Sequence, residues 1–171
     1  MRAAFLRAAR KLRLADRTTV GLLPAGRTVA IPPVAVQLAF ALADLGATPI
    51  ELVDANTRWP GFTSLVPPTA VPNEFSKIPL SPEVSVASMP PGKRPTHLGT
   101  ISQYIVKQAP TCAHLLVDLT GFDLIGEQLA SHDFVDGVLI IARARTTKEG
   151  DLLTAQRDLD PKRNLGVLLV G

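Results

Sequence analysis

Short apolar runs that alternate with helical segments constrain the fold of this chain most. The runs "HLLVDL" (114–119), "GVLIIA" (137–142) and "LGVLLV" (165–170) are almost continuously apolar. Runs of this kind are typical of strands that are buried on both faces of a parallel sheet, because a half-exposed strand alternates apolar and polar residues. Parallel neighbours also need crossover connections, which are usually helices. We therefore predict an α/β fold that consists of a mainly parallel sheet with helices on both faces.

The other elements follow from the same patterns. "TVAI" (28–31) is predicted to be a compact buried strand, and "TTVGLL" (18–23) a strand or an extended lead-in to it. Pro32 or Pro33 opens the next helix, because a proline in the first turn loses only an N–H that has no partner within the helix. Further predicted elements are a strand at 49–54, short strands such as 84–89 within an irregular proline-rich segment (63–96), and helices at 34–45, 98–110, 123–131 and 147–159.

Length and composition limit the class of protein. The 171 residues suit one domain, and 46% hydrophobic with 19% charged residues is a globular composition. No apolar run reaches the roughly 18 residues that a membrane span needs. Cys112 is the single cysteine, which excludes an internal disulfide and a cysteine-rich metal site. A reducing compartment is the expected location.

Basic residues are concentrated at the N-terminus. The net charge is only +3, yet six of the first 17 residues are Arg or Lys. Apolar residues recur there at helical spacing, which predicts a basic amphipathic helix over 1–17 preceding a single domain over 18–171. This helix could dock on the domain, bind a partner or the membrane surface, or be an organelle transit peptide. The candidate partner- or membrane-binding residues are Phe5, Arg7, Arg10, Lys11, Leu12 and Arg13.

Three stretches, in order, carry a family resemblance. "VAVQLAFALADLGATPIELVDANTRWP" (34–60) matches the pattern VAxNLAxxLAxxGxxVLLVDADxRxP, "HLLVDLTGF" (114–122) matches a Walker B strand, and 133–171 matches a closing strand–helix–strand segment. These patterns resemble the MinD/ParA class of P-loop ATPases and, more narrowly, the cytoplasmic domain of bacterial tyrosine kinases of capsule and exopolysaccharide assembly. The resemblance implies a P-loop NTPase-like three-layer sandwich in a bacterial cytoplasmic protein.

The phosphate-binding loop of that class is where this sequence departs from it. The class has a loop that ends in G-K-[ST]-T, whose backbone N–H groups and Lys hold phosphates. Aligned without a gap, Ile31 takes the Lys position while Pro32 and Pro33 take the hydroxyl positions. Aligned with a gap, most of the loop is deleted. Either alignment lacks the lysine and the magnesium-binding hydroxyl, and prolines remove backbone donors. The expectation is that no nucleotide or metal cofactor binds.

The acidic residues of the family's site are kept in part. Asp54 matches the first aspartate of the kinases' D-x-D-x-R pattern, Asn56 replaces the second, and Arg58 matches the arginine. Asp118 matches the Walker B aspartate. We interpret both acids as carboxylates at strand ends that accept hydrogen bonds from helix N-termini or from Arg58. The vestigial nucleotide-site positions are then Ile31, Pro32, Pro33, Asp54, Asn56, Arg58 and Asp118, with no metal ligand among them.

The resemblance, with these departures, predicts a catalytically inactive pseudo-ATPase or pseudo-tyrosine kinase. Such a protein would act as a scaffold or adaptor in a bacterial envelope polysaccharide system. Expected partners are a membrane-associated polysaccharide co-polymerase, an active ATPase relative or a second copy of the chain, with peripheral contact at the inner membrane; nucleic acid ranks below them. The alternatives are a divergent ATPase or kinase that uses Asp54 and Asp118, and a ParA/MinD-like positioning factor. Tyr104 is the single tyrosine, so autophosphorylation at a tyrosine cluster is not expected.

Overall fold

A seven-stranded sheet forms the centre of the molecule. The computed structural model describes residues 2–56, 61–71, 74–90, 98–122, 134–157 and 159–171. The strands are β1 (Thr19–Pro24), β2 (Ile50–Val53), β3 (Ser76–Pro79), β4 (Val84–Ser88), β5 (His114–Asp118), β6 (Gly137–Arg143) and β7 (Asn164–Val170). Their order is β3-β4-β2-β5-β1-β6-β7, and every pair is parallel except β3 with β4. The predicted mainly parallel α/β fold is confirmed.

Helices cover both faces of this sheet. They are α1 (Arg2–Leu14), α2 (Ile31–Ala43), α3 (Leu98–Gln108) and α4 (Glu149–Arg157), with 3-10 turns at Thr63–Leu65 and Ala109–Thr111. Leu22 belongs to the core cluster under α1 and α2, while its neighbour Leu23 belongs to the cluster under α3 and α4. Successive strand residues point to opposite faces, so strands with both faces buried need continuous apolar runs.

The predicted strand at 28–31 is wrong, and the first strand lies earlier in the chain. β1 takes the central position between β5 and β6, and residues 25–30 form the connection to α2. Val29 and Ile31 are nevertheless buried, because they pack into the core under α1 and α2 from the connection and from the first helical turn. Val29 and Ile31 are two residues apart, so their burial gives the same alternating pattern as a short strand.

Helix α2 begins three residues earlier than the predicted residue 34. Pro32 and Pro33 lie in its first turn, where the missing N–H groups cost no intrahelical hydrogen bond. The predicted cap at Gly46 is confirmed: its φ is +73°, and the Ala47 N–H donates to the Leu42 carbonyl at 3.1 Å. This hydrogen bond closes the last turn in the manner of a Schellman motif.

Helix α1 is docked on the domain. Phe5, Ala9 and Leu12 are buried in the same core cluster as α2. The Arg13 guanidinium donates to the Leu45 carbonyl at 2.7 Å, just beyond the end of α2. This corrects the prediction for Phe5 and Leu12, whose side chains face the domain core and not a partner or a membrane. No helix in the described part of the chain is both long and apolar enough to cross a membrane.

The later predicted elements agree with the structure to within about two residues. The predicted helices at 98–110 and 147–159 correspond to α3 and α4, and the apolar runs after residue 113 correspond to β5, β6 and β7. The "VSVAS" segment forms β4, as predicted. The predicted helix at 123–131 lies outside the described residues.

Candidate functional site

Polar residues converge where three neighbouring parallel strands end. Ser88 is the last residue of β4, Asp54 follows β2, and Asp118 is the last residue of β5. Val53 pairs in register with Val117, so the two aspartates follow at the same level on adjacent strands. The carboxyl edge of an open α/β sheet is also where ligands bind in such folds. The structure therefore brings Asp54 and Asp118 together at the edge where a functional site is expected.

Asp54 is buried and holds the segment that follows it. Its Oδ2 accepts hydrogen bonds from the Phe62 N–H and the Ser88 hydroxyl, each at 2.9 Å. Its Oδ1 is buried without a hydrogen-bond partner among the described residues. Burial raises the pKa of Asp54, and the donated hydrogen bonds oppose this rise. The carboxylate is thus engaged in fixing the chain at residue 62 against β4.

Asp118 is the more strongly perturbed of the two acids. Its Oδ1 accepts hydrogen bonds from the N–H (2.8 Å) and the hydroxyl (2.5 Å) of Thr120, while its Oδ2 is buried without a partner in the described structure. Burial raises the pKa of Asp118 to about 7, and the charge of Asp54 acts in the same direction. At neutral pH the pair therefore resists carrying two negative charges.

Both acids are buried, and the start of α2 packs against the residues around 61 that follow Asp54. Pro32 packs so closely on Gly61 that a Cβ atom added to Gly61 would lie 2.2 Å from the proline Cγ. Asp54 is 4% and Asp118 2% exposed. Both carboxyl groups are therefore shielded from solvent in this conformation. The donors to Asp54 are Phe62 and Ser88 and the donor to Asp118 is Thr120, which differ from those expected from the sequence, and a purely structural role for the two acids stays a prediction.

The start of α2 does not fit a triphosphate. The six-residue connection 25–30 shows that a loop precedes the helix, which supports the gap-free alignment over the deletion. Ile31, at the lysine position, is 0% exposed and contributes to the core under α1 and α2, so it does not face the strand ends. Two of the first three helical residues are imino acids without an N–H, and the N-cap residue Ala30 offers no side-chain acceptor or donor. Phosphate groups need those missing donors and charge.

The remaining predicted residues divide into three groups. Asn56 is buried two residues beyond Asp54, and its N–H lowers the pKa of that carboxyl. Arg58 lies outside the described residues. The exposed cations of α1 take no part in the carboxyl cluster, so their predicted role in binding a partner or a membrane stays a prediction.

A second feature at the same sheet edge was missed by the sequence reasoning. A cavity of about 400 Å³ lies between the 25–30 connection and α4. Arg27, Lys148 and Asp151 contribute charges to its lining, and Leu23 and Ala155 are apolar lining residues. Asp151 packs against Gly26, whose φ of +87° turns the connection at that point. The Pro-Ala-Gly turn at 24–26 was the only signal in the sequence, and it indicated a turn, not a cavity.

A third polar cluster lies within the sheet, away from the strand ends. Glu51 of β2 is fully buried, and its carboxylate accepts the Tyr104 hydroxyl at 2.7 Å and the Ser85 hydroxyl at 3.4 Å. Lys77 of β3 forms an ion pair with the same carboxylate. Burial and the nearby carboxylate of Glu51 raise the pKa of Tyr104. The phenol is therefore held as a neutral hydrogen-bond donor.

Tyr104→Phe is expected to lower the free energy of unfolding by about 1 to 3 kcal/mol, because it leaves the Oε1 atom of a buried carboxylate without the hydroxyl donor that contacts it. Ser85→Ala removes the longer contact to the same carboxylate and is the matched control, with an expected loss of less than about 1 kcal/mol. Urea unfolding of the three proteins measures both losses. If the two variants lose the same free energy of unfolding, the Tyr104 hydroxyl is not the main hydroxyl donor that stabilises buried Glu51.

Comparison with known proteins finds solved structures that share this fold. No protein-family profile matches the sequence, and no curated protein sequence matches it significantly. The BceF tyrosine kinase domain is 19% identical with a TM-score of 0.70, over 99% of this chain and 74% of that one. The kinase domain of the Escherichia coli tyrosine kinase ETK is 15% identical with a TM-score of 0.73, over 97% and 75%. A ParA family ATPase from Chlorobium tepidum TLS is 15% identical with a TM-score of 0.61, over 90% and 73%. The chain has the α/β fold of bacterial tyrosine kinase domains and of a P-loop ParA family ATPase.

Proposed function

We propose that this chain is a non-catalytic member of the tyrosine-kinase-like P-loop fold and acts as a scaffold or adaptor. The observation that carries the proposal is the first turn of α2, where a buried isoleucine and two prolines occupy the positions of the lysine and hydroxyls. Binding of a triphosphate in this fold depends on that turn more than on any other segment. Without it, phosphoryl transfer has neither its electrostatic stabilisation nor its positioning groups.

The carboxyl pair supports the same proposal. In an active site of this fold, acids at these strand ends would be available to a magnesium ion held with the nucleotide. Here the Oδ2 atom of Asp54 accepts two hydrogen bonds, and the Oδ1 atom of Asp118 also accepts two. A pKa of about 7 for Asp118 also works against metal binding at neutral pH, because a ligand carboxylate must be deprotonated.

Nucleotide binding is the direct test. We expect magnesium and ATP at millimolar concentration to leave the melting temperature unchanged within about 1 °C. A ligand at 100 times its Kd adds about 2.7 kcal/mol of stability, which raises Tm by roughly 5 to 10 °C for a domain of this size. Differential scanning fluorimetry with ATP, ADP and magnesium alone measures the shift.

The alternative function is a divergent ATPase or kinase that still uses Asp54 and Asp118. The buried orphan oxygens on both acids are the observation in its favour. It requires these buried oxygens to become accessible to a magnesium ion. It predicts a saturable Tm increase with magnesium and ATP that Asp118→Asn abolishes, together with phosphate release above background. Either result in the unmodified protein would contradict the non-catalytic proposal.

The proposed setting is a bacterial system for envelope polysaccharide assembly or export. The support is the similarity in fold to bacterial tyrosine kinase domains, together with the resemblance of 34–60 to kinases of capsule assembly. The proposed partners are a membrane-associated co-polymerase or an active ATPase relative in the cytoplasm. A ParA-like positioning role is the other candidate, since one ParA family ATPase shares the fold. The genes that neighbour this one in its genome would separate the two settings.

A further inference from the structure

Strand β7 forms an edge of the sheet that is irregular only near its start, where a one-residue register shift against β6 lies between Asn164 and Val167. It pairs only with β6 in the described structure, and its seven residues "NLGVLLV" include no charge and no proline. Natural proteins normally protect such edges with charged residues or proline, because unpaired peptide groups bind other strands. The opposite edge shows this protection, since β3 is only four residues long and carries Lys77 and Pro79. The two edges of the sheet are therefore not equivalent.

The outward peptide groups of β7 can be assigned from its pairing. The Ala144 N–H donates to the Val170 carbonyl at 2.7 Å, so the peptide groups of Val170 face β6. Residues 167 to 170 pair in an unbroken register with β6, and neighbouring residues of a strand turn their peptide groups to opposite sides. The N–H and C=O groups of Val167 and Leu169 therefore point away from the sheet, toward an additional strand.

Apolar side chains surround this edge. Val167 is 40% and Leu169 59% exposed, while Leu168 between them is buried on the opposite face. On that opposite face a groove of about 300 Å³ runs between α1 and β7, with Leu165 and Leu168 in its lining. An added strand would cover the exposed side chains on one face and place its own side chains in the groove on the other.

Charge decides what kind of strand fits. Arg7 and Lys11 of α1 line the groove, and Arg10 is exposed on the same helix. No acidic residue occurs in α1. We propose that β7 is the docking edge for an extended segment of a partner protein that pairs with β7 and carries acidic residues toward α1. This mode of recognition takes its affinity from main-chain hydrogen bonds and its specificity from alternate side chains.

A second copy of this chain fits the edge less well. Antiparallel pairing of two β7 strands about a two-fold axis would bring two α1 helices to the same side of the joined sheet. Arg7 and Lys11 of both copies would then lie near one seam, where like charges repel. An acidic segment converts the same charges into attraction. The inference deepens the proposed adaptor function, because it names the chemistry of the partner that the adaptor would hold.

The test uses two fluorescein-labelled nonapeptides, one alternating valine and glutamate and the other alternating valine and lysine. We expect fluorescence anisotropy to show binding of the acidic peptide to the unmodified protein, weakened by salt. Leu169→Pro should weaken it at least about tenfold, because proline removes an outward N–H without removing a bond to β6. Leu169→Thr keeps that N–H and is the matched control, with affinity expected within about threefold, less than one hydrogen bond is worth.

A charge reversal gives an independent result that does not alter β7. Arg7→Glu combined with Lys11→Glu changes only exposed side chains of α1 and should reverse the preference to the lysine peptide. Failure of the acidic peptide to bind, equal binding by the proline variant, or an unmodified dimer that Leu169→Pro converts to a monomer would overturn the proposal. All measurements omit nucleotide. An ATP-induced Tm shift would therefore contradict the non-catalytic proposal and leave the peptide binding intact. Failure of the peptide to bind would contradict the docking proposal and leave the non-catalytic proposal intact.

Discussion

Phe5→Ala is expected to lower the free energy of unfolding by about 3 to 5 kcal/mol, a cost typical of truncating a buried aromatic side chain. Phe5 is 3% exposed and belongs to the core cluster beneath α1 and α2. The alanine would leave a cavity where α1 contacts α2, since little else in the described chain could move to fill it. For a domain of this size the loss corresponds to a fall in Tm of roughly 10 °C. Urea unfolding and thermal unfolding both measure it.

Leu14→Ala is the matched control for this change. Leu14 belongs to the same helix but is 86% exposed, so its truncation should alter stability by less than about 0.5 kcal/mol. If Phe5→Ala lowers the free energy of unfolding as little as Leu14→Ala does, α1 is not docked in solution. In that event Phe5 and Leu12 would again be candidates for binding a partner or a membrane.

Asp118→Asn is expected to stabilise the protein at pH 8, by up to about 4 kcal/mol. The folded state raises the pKa of Asp118 from 3.8 to about 7, and each unit is worth about 1.36 kcal/mol. As the pH rises from about 4 to 7, the unfolded chain releases this proton while the folded chain keeps it. The free energy of unfolding therefore falls through this window and is level above it. Asparagine carries no charge and avoids this loss.

The measurement is urea unfolding of the two proteins at several pH values between 4 and 8. The stability difference should be near zero at pH 4 and should grow to its full value by pH 8. The exposed Asp44→Asn serves as control and should differ from the unmodified protein by less than about 0.5 kcal/mol throughout. A difference for Asp118→Asn that does not change with pH would mean that its carboxyl is charged in the folded state, as the alternative catalytic function requires.

The sheet could be predicted from the sequence because strands that are buried on both faces have continuous apolar sequences. β5, β6 and β7 appear as continuous apolar runs, and α4 between β6 and β7 keeps helical spacing. β1 could not be distinguished from the connection after it, because Val29 and Ile31 are buried by a loop and a first helical turn. Periodicity records which side chains are buried and does not record which backbone conformation buries them.

The candidate site was predictable in position but not in its contacts. Asp54 and Asp118 each end an apolar run, which places them at the carboxyl edge of any parallel sheet. The donors to Asp54 come from Phe62 and Ser88, and nothing in the sequence indicated that these two residues would meet the end of the 49–54 strand. Glu51 carried a signal that was overlooked, since a lone acid inside the buried run "IELV" requires a polar partner within the core.

The different protection of β3 and β7 sets a limit on how the sheet can grow. Among the described strands, a partner strand on β7 would occupy the edge that lacks charged residues and proline, and Lys77 with Pro79 discourages a further strand on the other side. Copies of this chain would therefore not join through β7 and β3 into a fibre. The expected stoichiometry is one to one.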